Sequence, residues 1–291
     1  MKTTRFRTIA GLSISLVIVM AFSLHAEEPT IIRDVVYGHK AGMALTYDVI
    51  QPKTPNGAGV LFMVSGGWVS HWAPPDRFFR EKHPQPNQFE LLVDHGYTVF
   101  MVRHGSSPYF KVPDAVADVR RAVRFIRLHA KDYAVDPDRL GVFGASAGGH
   151  LSLMLGTSSD NGIPDSKDPV EHVSDRVQAV VALCPPSRVA ELFPMKERFP
   201  ALQFSENLAE SVSPLPQASA DDAPTLLVHG DKDNLVPISH SERMEKALSE
   251  VQVPTELLVL HGAGHGFGPE DQIRCQNAML AWFDKYLAKR K

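Results

Sequence analysis

The stretch VFGASAGGH, Val142 to His150, sets one serine among four of the smallest residues at the point where an apolar run ends. A strand that turns directly into a helix leaves no room for a Cβ beside the turn, so Gly144 and Gly148 flank Ser146 and force it outward. The pattern is GxSxG, which an ordinary glycine-rich turn also satisfies. Ser146 is therefore a candidate nucleophile only if a base and an acid follow at other strand ends.

Strands and helices alternate along most of the chain. Ile31 to Val36 and Met43 to Val49 predict an opening antiparallel pair. Apolar runs predict buried strands at 60–64, 98–102, 140–143, 177–183, 225–228 and 256–260, and helical spacing predicts helices at 89–94, 115–130, 148–155, 239–249 and 271–287. The alternation predicts one α/β domain over residues 27–291, with a mostly parallel sheet covered by helices on both faces. Residues 187–222, rich in Pro, Ser and Ala, predict a short cap insertion.

Composition limits the partners of this chain. Its 291 residues are 44% hydrophobic and 22% charged with a formal net charge of -3, which is typical of a globular domain. No overall positive field would attract nucleic acid or an anionic membrane, so neither is a predicted partner. Arg120, Arg124, Arg127 and Lys131 share one helical face, and we expect that face to be solvated.

The N-terminal segment is predicted to lie outside the fold. Lys2, Arg5 and Arg7 precede an apolar stretch over 9–24, and Ala26 then gives way to charged residues. This is typical of a secretory signal peptide over residues 1–26, which predicts export to the periplasm or the medium. The alternative, an uncleaved anchor, is less favoured because the stretch is short and interrupted by serines.

The chain has only two cysteines, Cys184 and Cys275. An exported chain with so few has no disulfide framework. We expect two buried free thiols, and a single bridge between them is the alternative.

Two later segments carry candidates for the acid and the base. HGDKDNLVP, residues 229–237, follows a predicted strand and contains Asp231 and Asp233. HGAGHGF, residues 261–267, follows the next strand and contains His261 and His265. A serine hydroxyl needs an imidazole to take its proton and a carboxylate to fix the imidazole tautomer. The order serine, acid, histidine at successive strand ends predicts a catalytic triad, with both candidates still open in each segment.

Together GASAGGH, HGDKDNLVP and GAGHGF resemble the α/β-hydrolase fold, in particular carboxylesterases related to acetyl esterases, feruloyl esterases and the catalytic domains of prolyl oligopeptidases. The resemblance covers nearly all of residues 27–291. It implies that Asp233, the aspartate of the DxxVP pattern, is the acid and that His265 is the base. It also implies that Asp118 supports loops near the active site. We expect His150, just after the serine, to pack or support rather than to react.

Acyl transfer also needs fixed N–H groups for an oxyanion. One comes from the residue after the nucleophile, Ala147, and we expect the others from Gly66 and Gly67 in the loop VSGGWVSHW, residues 64–72. Members of the family that the chain resembles usually have His-Gly-Gly in this loop. Here Ser65 replaces that histidine, which changes the bracing of the loop and not its N–H groups.

The substrate side of the site is predicted from the same loop. Trp68, His71 and Trp72 carry flat amphipathic rings that suit stacking on a sugar or phenolic alcohol. Neither metal-ligand spacing nor a phosphate-binding glycine loop is present, so no metal and no cofactor are predicted.

The predicted function is an exported serine esterase that cleaves short-chain or carbohydrate-linked carboxylic esters through an acyl-enzyme. A prolyl-oligopeptidase-type peptidase, a lipase and a non-catalytic binding protein on the same fold are the alternatives. The oligomeric state is left open.

Overall fold

The protein is described from a computed structural model that covers residues 28–80 and 87–289. The predicted signal peptide over 1–26 lies outside the described residues. Within them, no helix combines the length and the apolar character that a membrane crossing would require.

Eight strands form one sheet in the order β1-β2-β4-β3-β5-β6-β7-β8. They are β1 Thr30–Lys40, β2 Met43–Gln51, β3 Gly59–Met63, β4 Thr98–Val102, β5 Leu140–Ala145, β6 Ala179–Leu183, β7 Thr225–Gly230 and β8 Thr255–Leu260. β1 pairs antiparallel with β2, and β2 pairs antiparallel with β4, whereas all the other neighbours are parallel. The predicted mostly parallel sheet with an antiparallel opening pair is confirmed.

Helices cover both faces of this sheet. They are α1 Arg77–Arg80, α2 Gln88–Asp94, α3 Val112–Leu128, α4 Ala147–Thr157, α5 Ser239–Glu250 and α6 Pro269–Tyr286. Alternate strand residues point to opposite faces, so Leu61 packs in the cluster with α3 and α4 while Val60 packs in the cluster with α2 and α6. The predicted α/β fold with helices on both faces is confirmed.

The parallel register brings the carboxyl ends of β5 to β8 to one edge. Ala145 pairs with Leu183, Leu183 with Val228, and Gly230 with Leu260. The segments that follow these strands therefore leave the sheet side by side, as ligand-binding loops do in open α/β sheets.

The insertion over 187–222 lies between β6 and β7, as predicted. It consists of short 3₁₀ turns at Val189–Met195, Pro200–Leu202, Glu206–Leu208, Glu210–Val212 and Leu215–Gln217. Its apolar residues Val189, Leu192 and Leu202 are buried in the cluster that includes α3 and α4. The insertion is therefore anchored to the domain core.

The prediction of a solvated face holds for Lys131, which is exposed, but is wrong for the arginines of α3. Arg124 is buried and donates to the Asp160 carboxylate at 2.6 Å and to the Val173 carbonyl at 2.7 Å. Arg120 also bonds Asp160, at 2.7 Å, and contacts the fully buried Asp175. The loop between α4 and β6 supplies carboxylates and carbonyls that pair with these guanidinium groups, which the helical pattern alone could not reveal.

Candidate active site

Ser146 lies at a strained turn between β5 and α4. Its φ of 55° and ψ of -119° are unusual for a residue with a Cβ. A Cβ on Gly144 would lie 2.5 Å from the carbonyl carbon of Gly148, and a Cβ on Gly148 would lie 2.6 Å from the Met63 carbonyl oxygen. The two glycines therefore permit the turn, and the half-buried Ser146 is held at the sheet edge by its N–H bond to Leu183 O at 2.8 Å.

Asp233 and His265 form a hydrogen-bonded pair at the same edge. His265 Nδ1 lies 2.7 Å from Asp233 Oδ2, and because a carboxylate only accepts, Nδ1 carries the proton. Asp233 Oδ1 accepts from the N–H groups of Leu235 at 2.9 Å and Val236 at 3.0 Å. Burial alone would raise the pKa of the Asp233 carboxyl, but these backbone donors and His265 hold it below its ordinary value. Asp233 is therefore an oriented carboxylate, and its bond to Nδ1 leaves Nε2 of the His265 imidazole free to accept a proton.

The turn and the acid–base pair are joined through the end of β6. Ser146 N–H bonds to the carbonyl of Leu183, and the next residue, Cys184, has its Sγ within 4.8 Å of ligand atoms of both Asp233 and His265. In the part of the chain that the structure describes, no hydrogen bond joins the Ser146 hydroxyl to His265. Contact between those two groups is therefore part of our functional proposal.

The rival acid and base also pair, but at the surface. His261 Nδ1 lies 3.0 Å from Asp231 Oδ2, and Asp231 Oδ1 accepts from the Gly262 N–H at 2.7 Å. The His261 side chain is 82% exposed, whereas that of His265 is 27% exposed. Solvent screens an exposed pair, so Asp231 and His261 act as a turn contact, and Asp233 with His265 remains the preferred pair.

The predicted oxyanion loop is a tight turn. Gly66 and Val69 exchange two backbone hydrogen bonds at 3.0 Å each, and the two residues between them, Gly67 and Trp68, have φ of 57° and 58°. These values are typical of a type I′ turn. Because the Gly66 N–H already bonds Val69 O, the predicted donor role of Gly66 needs correction. Gly67 and Ala147, the first residue of α4 and thus without an intrahelical acceptor, remain as candidate donors.

A second loop braces this turn through Ser65. His104 is buried, and its Nδ1 lies 2.9 Å from the Gly105 carbonyl, so Nδ1 carries the proton and Nε2 accepts from the Ser65 hydroxyl at 2.8 Å. Burial lowers the pKa of His104, which keeps this acceptor neutral. Ser65 thus has a partner that the sequence alone did not reveal, since His104 lies 39 residues away.

Asp118 supports the same second loop. Its Oδ2 accepts from the Gly105 N–H at 2.9 Å, and its Oδ1 accepts from Lys40 Nζ at 2.9 Å. The position of Asp118 therefore agrees with the loop-supporting role that the resemblance implies.

The prediction for Trp68 is wrong, because its side chain is 3% exposed. The turn directs the indole inward, where Nε1 donates to Nδ1 of His150 at 3.2 Å, and His150 Nε2 donates to the Val212 carbonyl at 2.7 Å. Full burial lowers the pKa of His150 to about 4, so it is a neutral packing residue, as expected. His71 and Trp72 are the exposed candidates for substrate contact, and Trp72 is 54% exposed.

Cys184 is the residue of this site that the sequence did not indicate. It is the first residue after β6, it has a φ of 45°, and its side chain is buried. Burial raises the pKa of its thiol to about 12, and the Asp233 carboxylate adds to that rise. Both cysteines are free thiols, as expected. In the sequence, only the position of Cys184 directly after a predicted strand could have indicated it.

Comparison with known proteins places this chain in a family. The sequence model of the BD-FAE family matches residues 48–248, most of the chain. The chain belongs to the BD-FAE family. The match spans β2 to α5 and so includes Ser146, the insertion and Asp233, while His265 lies beyond it.

Relatives of this BD-FAE protein carry esterase names. The probable carboxylic ester hydrolase LipM of Mycobacterium tuberculosis is 28% identical over 80% of this chain and 54% of its own length. Esterase LipQ of the same organism is 28% identical over 72% of this chain and 50% of its own length. The chain thus spans about half the length of these curated relatives.

A solved structure gives the same fold. The acetyl ester-xyloside bifunctional hydrolase from Caldicellulosiruptor lactoaceticus matches with a TM-score of 0.71 and 23% identity, over 90% of this chain and 98% of that chain. The fold of the BD-FAE protein is therefore the α/β-hydrolase fold.

Proposed function

We propose that this protein is a serine carboxylesterase that hydrolyses short-chain acyl or carbohydrate-linked esters through an acyl-enzyme. The observation that carries the proposal is the Asp233–His265 pair, 2.7 Å apart with Asp233 buried, at the sheet edge where Ser146 occupies its strained turn. The esterase names of LipM and LipQ support the same reaction class.

In the proposed reaction, Ser146 Oγ attacks the ester carbonyl carbon and its proton passes to His265 Nε2. Asp233 stabilises the resulting imidazolium through the proton on Nδ1. The oxyanion accepts hydrogen bonds from the N–H groups of Ala147 and Gly67. His265 then returns the proton to the departing alcohol. In the second half, water attacks the acyl carbonyl carbon and gives a proton to His265 Nε2. His265 passes this proton to Ser146 Oγ as the carboxylic acid leaves and the serine is regenerated.

The insertion limits the acyl group in this proposal. Phe199 packs against the oxyanion loop so closely that a Cβ on Gly67 would lie 2.9 Å from the Phe199 ring. The insertion is anchored by buried Val189 and Leu202 and by a bond from Lys111 Nζ to the Pro200 carbonyl at 2.9 Å. A wall fixed in this way favours small acyl groups, because each methylene beyond the pocket gains little transition-state binding.

The substrate class is tested with purified mature protein on an acyl chain-length series of one alcohol, together with acetylated xylan, feruloylated sugars and a dipeptidyl amide. We expect acetyl and butyryl esters to have higher kcat/KM than octanoyl and longer esters. A maximum at octanoyl or beyond, with activation at an oil interface, would replace this proposal with a lipase. Preference for the amide would replace it with a peptidase.

We also propose export, from the charged and apolar pattern of residues 1–26 alone. Mass measurement of the protein recovered from the native host tests it. A mature N-terminus near Glu27 is the expected result, and a retained N-terminal methionine would contradict it.

A further inference from the structure

Three different metal-binding side chains meet beside the proposed nucleophile. The Sγ of Cys184, a carboxylate oxygen of Asp233 and a ring nitrogen of His265 all lie within 4.8 Å of one another. They come from the ends of three successive strands, which explains why their sequence spacing does not resemble a metal motif. The sequence therefore predicted no metal here, and the fold assembles the donor set.

The donor set matches what thiophilic divalent cations prefer. Thiolate, imidazole and carboxylate are all ligands of Zn²⁺ and related cations, and three protein ligands leave a fourth position for water. Zinc bonds of about 2.0–2.3 Å place tetrahedral ligand atoms roughly 3.5 Å apart. The distances from Cys184 Sγ, which are at most 4.8 Å, have to shorten by up to about 1.3 Å, and the Asp233 Oδ2–His265 Nδ1 distance of 2.7 Å has to lengthen by about 0.8 Å. Side-chain rotation can supply both changes.

Charge and access are also suitable. One thiolate and one carboxylate neutralise a divalent cation, so the occupied cluster would carry no net charge into a buried position. Cys184 and Asp233 are buried, whereas the His265 side chain is 27% exposed and opens a route from solvent.

We propose that Cys184, Asp233 and His265 form a latent binding site for a thiophilic divalent cation such as Zn²⁺ or Cd²⁺, and that its occupation inhibits the enzyme. The cation binds Cys184 Sγ, Asp233 Oδ2 and His265 Nδ1. The thiol proton leaves to solvent, and the proton of Nδ1 moves to Nε2. No electron is transferred.

Inhibition follows from the tautomer. With the cation on Nδ1, Nε2 carries a proton and cannot accept one from Ser146. This part rests on the proposed function, whereas binding itself does not. A buried protonated thiol gives up its proton only to a cation with high sulfur affinity, so Mg²⁺ and Ca²⁺ should neither bind here nor inhibit.

Titration of the full protein with Cd²⁺ tests the site, because a cadmium–thiolate bond gives an ultraviolet charge-transfer band. Wild type, Cys275→Ser and Ser146→Ala should each bind one Cd²⁺ with this band. Cys275→Ser is the matched control, since Cys275 is the other buried free thiol. Cys184→Ser should lose the band, and His265→Asn should bind more than about tenfold more weakly, because losing even an outer-shell partner costs that much.

The proposal is overturned if Cys184→Ser keeps the band, if Cys275→Ser loses it, or if His265→Asn binds as tightly as wild type. If Cys184→Ser fails to fold, judged by its thermal transition, the His265→Asn and Cys275→Ser results decide. Ester hydrolysis should fall in step with Cd²⁺ occupancy and return with a chelator. Full occupancy with unchanged hydrolysis would overturn the inhibitory role, whereas binding by a protein that hydrolyses no ester would contradict only the proposed function.

Discussion

Replacing Asp233 with asparagine tests its proposed role as the acid, because the local hydrogen bonds dictate which way the new amide points. Asp233 Oδ1 accepts two backbone N–H groups, from Leu235 and Val236. An amide nitrogen cannot accept them, so the amide oxygen must take that position. The NH₂ group then occupies the place of Oδ2, 2.7 Å from His265 Nδ1.

The consequence is a change of histidine tautomer. Facing a donor, Nδ1 of His265 must become the acceptor, so the proton moves to Nε2 and that nitrogen no longer accepts from Ser146. In a serine protease triad the same replacement lowers kcat about ten-thousand-fold through the wrong tautomer. At about 1.4 kcal/mol per factor of ten, we expect Asp233→Asn to raise the barrier by about 5 kcal/mol, with the fold retained.

The assay is kcat and KM on a short-chain acetyl ester, with Asp231→Asn as the matched control. Asp231 makes an equivalent contact to His261 at 3.0 Å, but on the surface. The control should keep activity within about threefold, since exposed pairs contribute little. If Asp231→Asn is the damaging change, or if Asp233→Asn keeps more than a tenth of the activity, the assigned acid is wrong.

Three further predictions concern the framework of the site. Gly144→Ala forces a Cβ to within 2.5 Å of Gly148, so it should lower kcat/KM about a hundredfold and cost about 1–3 kcal/mol of stability. Gly268→Ala, where nothing lies within 4 Å, should be near wild type, and equal losses would contradict the strained turn. Ser65→Ala should cost about 1–3 kcal/mol in urea unfolding because it leaves buried His104 Nε2 without its donor, and an unchanged midpoint would contradict that bond. His150 has its pKa lowered from 6.5 to about 4, so it is neutral in the fold while the unfolded chain takes up a proton below pH 6.5. Stability should therefore fall by about 2 kcal/mol from this group between pH 7 and pH 5, and His150→Leu should flatten that slope. An unaltered slope would show that His150 is not the group responsible.

The sequence predicted the sheet because its signals are local. Apolar runs such as Val60 to Val64 and Thr98 to Val102 are buried on both faces, and the observed strands Gly59–Met63 and Thr98–Val102 follow them closely. The order of the triad candidates along the chain was also readable, since each follows a strand. Local periodicity is thus enough to predict the sheet architecture and the sheet edge at which the candidate site lies.

What the sequence could not supply are contacts between distant loops. The sequence predicts Trp68 at the rim of the substrate site because it lies in a polar loop. The type I′ turn instead directs its side chain to His150, 82 residues away. The sequence predicts that the arginines of α3 are solvated. Their carboxylate partners, including Asp160, lie in an irregular loop, so no local pattern indicates them. Cys184 belongs to no sequence motif because its neighbours in space, Asp233 and His265, follow two other strands. Pairings of this kind depend on tertiary packing and not on local pattern.

The central claim is that Ser146 is the nucleophile, and covalent labelling followed by peptide mass spectrometry tests it most directly. An organophosphorus fluoridate should react with the folded protein so that a phosphorus–oxygen bond forms at Ser146 and fluoride leaves. The account predicts one adduct, on the peptide containing Ser146, with loss of ester hydrolysis in proportion to labelling and no labelling of Ser146→Ala. An adduct on another residue, or full hydrolysis by Ser146→Ala, would contradict it.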